Sequence, residues 1–178
     1  MDNKSELRRE VRRRIKNLSA DDKFEASVKI FQRVELLDAF TKSRCIAVYA
    51  AMSDEVPTAA TLLRWSAMGK RVVLPKVEGD VMRFYDFDPQ NMEVGAFGID
   101  EPVADCECPP SDIDMIIVPA RAFTHAGVRL GRGGGFYDKY MSLPDMHAYK
   151  CGVAFSCQLF DELPADEHDI AVDVVVAD

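Results

Sequence analysis

Residues 45–50 read Cys-Ile-Ala-Val-Tyr-Ala, an unbroken apolar run of strand length. A half-wet strand alternates apolar and polar positions. A run without alternation is covered on both faces, which is the habit of a parallel strand between helical layers. A second such run lies at 114–119, Asp-Met-Ile-Ile-Val-Pro. Helical periodicity alternates with these runs. Over 4–17, Leu7, Val11 and Ile15, with Leu18 beyond, line one stripe. Ser19 and Asp22 form a capping-box pattern that opens a second helix to about Leu37. Pro57 stands at the start of a third helix and Gly69 at its end. Further strands are expected at 71–77, 82–87, 152–155 and 172–176, with a turn at Glu78-Gly79-Asp80. The alternation predicts a three-layer α/β fold with a mostly parallel sheet. Residues 89–110, rich in Gly, Pro and acids, read as an irregular excursion in which Phe97, Ile99 and Val103 are apolar enough to pack. With no repeat, low-complexity tract or linker, all 178 residues are expected to form one domain.

Charge narrows the function classes. Thirty acidic against 22 basic residues give a net charge of −8, so broad nucleic-acid binding is not expected and any anion site must be a local patch. No apolar run approaches a membrane span, and the N-terminus is charged from Asp2, without a signal-peptide core. Five cysteines is an odd number, and Cys106-Glu-Cys108 has no second pair at zinc spacing. Free thiols in a reducing, cytoplasmic setting are the expectation.

Residues 128–140 carry the chemistry. Four of the chain's ten glycines, Gly131, Gly133, Gly134 and Gly135, fall within five positions there, flanked by Arg129, Arg132 and Lys139. Glycine accepts positive φ and close approach, and successive backbone N–H groups in such a loop make a concave anion trap. A helix over 136–143, stopped by Pro144, would add its positive end. Walker A fits poorly because no Lys-Ser/Thr pair follows the glycines. The dinucleotide fingerprint fits poorly because position 136 is Phe and the preceding strand-like run, 115–118, ends well upstream. The competing reading is a flexible turn closing a structural hairpin. Lys4, Arg8 and Arg12 recur every four residues as a cationic ridge. That ridge is either a solvated face or one offset by an anionic partner. Asp54 and Glu55 follow the 45–50 strand at the end where open α/β sheets bind ligands.

Residues 129–138, Arg-Leu-Gly-Arg-Gly-Gly-Gly-Phe-Tyr-Asp, resemble the signature of the 5-formyltetrahydrofolate cyclo-ligase, or 5,10-methenyltetrahydrofolate synthetase, family. The likeness continues in family order through Lys4 with Leu7-Arg8, Glu55-Val56 with Thr58, Leu74-Pro75-Lys76, Gly98-Ile99 with Glu101-Pro102, Ile117-Val118-Pro119, and His168-Asp169 with Asp173. Departures are Pro57 and Thr124 where the family commonly has Asp, and Phe136 where it commonly has Tyr.

The resemblance implies a sheet of the sugar-phosphate isomerase and CoA-transferase type, acting as a monomer on two small molecules, ATP and a reduced folate. It implies ATP contacts from Lys4, Ser5, Glu6, Leu7 and Arg8, and from Arg129, Leu130, Gly131, Arg132, Gly133, Gly134, Gly135, Phe136 and Tyr137. It places Ala50, Met52, Glu55 and the segment from Arg132 to Phe136 at the folate, with Arg132 and Gly134 beside the reacting formyl group. Asp138 and Asp173 are its Mg²⁺ carboxylates, and His168 is read as structural. The implied reaction phosphorylates the N5-formyl oxygen, after which N10 attacks the carbon and phosphate leaves. No protein nucleophile is needed for that. A binding module with decayed chemistry, and a ligase for another formamide-like substrate, remain alternatives.

Overall fold

The structure, a computed structural model, describes residues 3–90, 92–94, 100–102 and 106–178. In chain order the elements are α1 (Asn3–Ile15), α2 (Ala20–Glu35), α3 (Asp38–Lys42), β1 (Cys45–Ala47), α4 (Ala59–Ala67), β2 (Arg71–Glu78), β3 (Val81–Asp86), β4 (Met92–Val94), β5 (Asp100–Pro102), β6 (Glu107–Cys108), β7 (Met115–Val118), β8 (Ala122–Thr124), β9 (Arg129–Leu130), α5 (Phe136–Met141), β10 (Tyr149–Ala154), β11 (Leu159–Phe160) and β12 (Val174–Ala177).

The two apolar runs become the middle of a seven-stranded sheet ordered β12-β10-β7-β1-β2-β3-β6. From β12 to β2 every pairing is parallel. Beyond β2 the hairpin partner β3 and the short β6 pair antiparallel. The ladder continues past Ala47, where the Val48 amide donates to the Val73 carbonyl at 2.9 Å.

Alternate residues of the central strands face different layers. Ile46, Val48, Val72, Leu74, Met115 and Ile117 join Val11, Ile15, Ile30, Phe31, Val34, Leu62 and Trp65 of the helices α1, α2 and α4. Ala47, Val73, Ile116 and Val118 join Tyr140 and Met141 of α5 with Met146. The expected three layers are therefore present, with the helices divided unequally. Trp65 anchors the thicker layer, edge-on to Phe31 at 5.6 Å, and its indole N–H donates to Glu35 at 2.9 Å.

The capping box at the start of α2 forms as expected: the Asp22 amide donates to Ser19 Oγ at 3.0 Å and the Ser19 amide to Asp22 at 2.9 Å. Three features depart from the expectations. The third helix begins at Ala59, not Pro57, and Thr58 gives it no side-chain cap. The Thr58 hydroxyl instead donates to the Tyr49 carbonyl at 2.8 Å and accepts from the Ala51 amide at 3.2 Å, pinning the loop after β1. The short α3 and a second sheet, ordered β11-β8-β9, were not anticipated. Elements of two to five residues are too short to show a period. The expected packing of Phe97, Ile99 and Val103 lies outside the described residues. Among the described residues no helix is long and apolar enough to cross a membrane.

The turn between β8 and β9 depends on Gly127. Its φ is 98°, and a Cβ there would lie 2.3 Å from the Val172 backbone oxygen. Gly127→Ala is expected to lower stability by roughly 2–4 kcal/mol through backbone strain and that collision, read as a drop in the urea midpoint. An unchanged midpoint would show that the turn tolerates a side chain.

Candidate active site

The loop that leaves β1 is held rigid at the carboxyl end of the sheet. Besides the two Thr58 bonds, the Tyr49 hydroxyl donates to the Val56 carbonyl at 2.7 Å. Across from it, the chain leaves β7 at Pro119, turns through β8 and β9, and delivers the glycine loop at 131–135. The first turns of α1 approach that loop, since Arg8 Nε donates to the Gly131 carbonyl at 2.8 Å. These segments enclose a cleft of about 970 Å³ at the ends of the central strands, where an open α/β sheet offers its binding crevice.

Cations crowd one half of the cleft. Arg8, Arg129 and Arg132 line it with Lys4, which lies 2.8 Å from Asp169 and 3.0 Å from Asp166. Gly133 (φ 111°) leaves its open side to Arg8, whose guanidinium carbon would lie 3.7 Å from a Cβ placed there. Gly135 (φ 74°) turns the chain into α5. Arg129 is buried beneath the loop, where Nε donates to the Pro119 carbonyl at 2.9 Å. Its guanidinium lies 5.3 Å from the Tyr137 ring centre and 3.8 Å from Asp138. Burial pushes the Arg129 pKa down, with the negative charge of Asp138 opposing it. Among the described residues the side chain of this buried arginine makes one hydrogen bond, to a neutral carbonyl, and its nearest carboxylate is 3.8 Å away, an arrangement suited to a further anion.

The other half is walled by Tyr49, Ala50, Met52, Pro75, Val77 and Met82, with Glu55 set into it. Glu55 is 8% exposed, and its Oε1 accepts the Met52 amide at 2.8 Å. Burial pushes its carboxyl above the ordinary range, although the Arg132 charge and the Met52 N–H act to lower it. An acid set in an apolar wall of a cleft, with its second oxygen held only by a 3.4 Å contact to Arg132, is suited to a partner offering N–H donors. Arg132 joins the two halves, with Nε 3.4 Å from Glu55 Oε2 and Nη2 on Asp54.

The structure sorts the expected site residues. Lys4, Arg8, Ala50, Met52, Glu55, Asp138 and the whole run from Arg129 to Tyr137 line the cleft. Ser5, Glu6 and Leu7 do not line it: Lys4 and Arg8, four apart, share one face of α1, and Leu7 packs on the core. The helix after the loop has six residues rather than the expected eight. Pro57 and Thr124 lie away from the cleft. The Pro57 carbonyl accepts from Ser27 at 2.7 Å, and Thr124 Oγ1 accepts the Val128 amide at 3.0 Å.

The structure does not bring Asp138 and Asp173 together. Asp173 precedes β12 and its carboxylate accepts the Lys150 amide at 2.8 Å, beside Asp114 in a separate depression at the amino ends of the strands. Asp169, four positions earlier, lies in the cleft instead. The Ile170 amide donates to Asp138 Oδ1 at 3.0 Å, so the next residue back, Asp169, is brought beside Asp138. Both acids line the cleft. Among the described residues no group of three or more His, Cys, Asp or Glu could hold a metal unaided. His168, on the same segment, also lines the cleft, with an exposed side chain. The buried Arg121 was missed. It follows β7 in Pro-Ala-Arg-Ala-Phe, and a lone charge inside an apolar stretch was the available signal.

Relatives share this chain along its length. The mouse 5-formyltetrahydrofolate cyclo-ligase is 28% identical, over 96% of this chain and 91% of that protein. The enzyme of the same name from Escherichia coli K12 is 31% identical, over 93% and 95%. The solution structure of Aquifex aeolicus 5,10-methenyltetrahydrofolate synthetase superposes with a TM-score of 0.86 at 40% identity, covering 97% of this chain and 88% of that one. The structure of 5,10-methenyltetrahydrofolate synthetase from Mycoplasma pneumoniae gives 0.78 at 27% identity, covering 99% of both. The family model for the 5-formyltetrahydrofolate cyclo-ligase family matches residues 1–178, and this chain belongs to that family.

Proposed function

We propose that this protein converts 5-formyltetrahydrofolate and ATP to 5,10-methenyltetrahydrofolate, ADP and phosphate. The observation that carries the reading is one cleft in which a buried acid, Glu55, faces a glycine loop ringed by Lys4, Arg8, Arg129 and Arg132. The N5-formyl group is an amide, a weak electrophile with a poor leaving oxygen. Transfer of the γ-phosphoryl group to that oxygen creates a leaving group, and N10 then closes the ring as phosphate departs. Such a transfer needs alignment and charge neutralisation more than covalent help from the protein.

In this reading Lys4, Arg8 and Arg129 hold the phosphates with the loop backbone, and Glu55 takes hydrogen bonds from the pterin edge. Arg132, between the two halves, stabilises the charge that moves from γ-phosphate to formyl oxygen. Asp138 and Asp169 would hold Mg²⁺, since two neighbouring carboxylates suit an ion that keeps waters and nucleotide oxygens as its other ligands. The ion would neutralise phosphate charge. The reading takes residues 1–178 as one domain, acting as a cytoplasmic monomer.

Growth of the methenyl absorbance on mixing protein, ATP, Mg²⁺ and 5-formyltetrahydrofolate is the test, and absence of ATP-dependent growth refutes the reading. Within it, Arg132→Ala is expected to reduce kcat/KM for the folate by about 10–150-fold, the equivalent of ~1.5–3 kcal/mol for a charge-assisted contact. Unchanged kinetics would remove Arg132 from the site.

A further inference from the structure

Arg132 has little to hold it from its own backbone. It sits between Gly131 and Gly133, and Gly133 has a φ of 111°, so its guanidinium is placed by what the side chain touches. The Glu55 contact is long, at 3.4 Å, whereas Asp54 Oδ1 takes Arg132 Nη2 in a tight ion pair. The other oxygen of the same carboxylate, Oδ2, takes Arg121 Nη1 in an equally tight pair. Asp54 is thus shared by one arginine from the glycine loop and one from the fold's interior.

Arg121 is the fixed end of this chain of contacts. It is 7% exposed. Its amide donates to the Leu130 carbonyl at 2.8 Å, and its own carbonyl accepts Gln158 Nε2 at 3.1 Å. Its backbone is therefore tied into the small sheet beneath the loop, and its side chain is only 8% exposed at the cleft wall. Asp54, anchored there, presents its second oxygen to Arg132 from a fixed point. The two charges also fit Asp54 itself: burial pushes its carboxyl up, yet the hydrogen bonds from Arg121 and Arg132 outweigh this and leave it below the usual range.

We propose that Asp54, clamped by Arg121, is the positioning residue for Arg132, holding its guanidinium at the Glu55 end of the cleft. The inference rests on the cyclo-ligase reading given above. A free cation on a glycine loop would be drawn to the most charged ligand present, the phosphate chain of ATP, since Coulomb attraction grows with ligand charge. Held by Asp54, Arg132 remains where the formyl oxygen and the γ-phosphoryl group would meet. Neither Asp54 nor Arg121 touches the reacting atoms in this scheme.

The test is a double-mutant cycle in the full-length protein, using Arg121→Gln, Asp54→Asn and the double variant, each assayed well below its melting temperature. Wild-type turnover of 5-formyltetrahydrofolate with ATP comes first, because its absence overturns the cyclo-ligase reading rather than the positioning role. Each single variant is expected to lose about tenfold in kcat, and the double variant no more than Asp54→Asn alone, because both act through one contact. Affinity for ATP is expected to stay the same or tighten. Arg121→Lys, which keeps a charge for Asp54, is expected to recover most of the loss. Multiplicative losses in the double variant, weakened ATP affinity, or lowered melting temperatures with normal kcat would each overturn the role. If Asp54→Asn fails to fold with Arg121 unpaired, the comparison of Arg121→Gln with Arg121→Lys decides alone: equal kcat in both overturns it.

Discussion

Glu55→Gln is expected to raise the KM for 5-formyltetrahydrofolate by roughly 10–150-fold, the loss of charge-assisted hydrogen bonds, with ATP affinity unchanged. Its effect on stability separates a binding role from a structural one. Burial raises the Glu55 carboxyl above its ordinary range, with the Arg132 charge only partly opposing this. A carboxyl raised on folding favours the fold most at low pH, and that advantage is lost as pH rises through the folded-state value. Ionising Glu55 in the folded protein therefore costs stability. The glutamine can still accept the Met52 amide that Glu55 Oε1 accepts at 2.8 Å, and Arg132 keeps Asp54. The melting temperature should stay level or rise. Early melting with normal folate kinetics would mean that Glu55 serves the fold.

Asp138→Asn and Asp169→Asn are each expected to lower turnover by about 100-fold or more, as expected for lost metal ligands, with partial recovery at high Mg²⁺. The motivating geometry is the Ile170 amide, which donates to Asp138 Oδ1 at 3.0 Å and so brings the preceding residue, Asp169, to the same side of the cleft. Because they would serve one ion, the double variant should lose much less than the product of the single losses. Asp173→Asn is the internal control. Its carboxylate caps the Lys150 amide at the far end of the sheet, so it should leave the Mg²⁺ dependence of turnover untouched. A Mg²⁺ dependence altered by Asp173→Asn and not by Asp169→Asn would reverse the assignment.

The contrast between Asp169 and Asp173 also shows where reading a sequence stops. The apolar runs at 45–50 and 114–119 identified the central strands, because only a strand covered on both faces tolerates such composition. Ser19 and Asp22 announced α2 through a local hydrogen-bond pattern that needs no tertiary context. The glycines and arginines of 129–135 marked, by residue type alone, the loop that lines the cleft. Which of two aspartates four positions apart reaches that site depends on where β12 begins, and pairing between distant strands decides that. Asp169 remains on the loop at the carboxyl ends, while the Asp173 amide is already paired with Lys150 at the amino ends. Arg121 was hidden for a related reason: its partner Asp54 is 67 positions away. Likewise Lys4 and Asp169 are joined across 165 positions. Periodicity marks faces, and it does not mark partners.

The central claim is that this cleft brings the γ-phosphoryl group of ATP onto the formyl oxygen of the folate. Turnover of 5-formyltetrahydrofolate labelled with oxygen-18 in the formyl group tests it directly, with the released phosphate analysed by mass spectrometry. The expected result is one labelled oxygen in the phosphate for each methenyl product formed. Unlabelled phosphate, with the label released to water while ATP is consumed, would contradict the account.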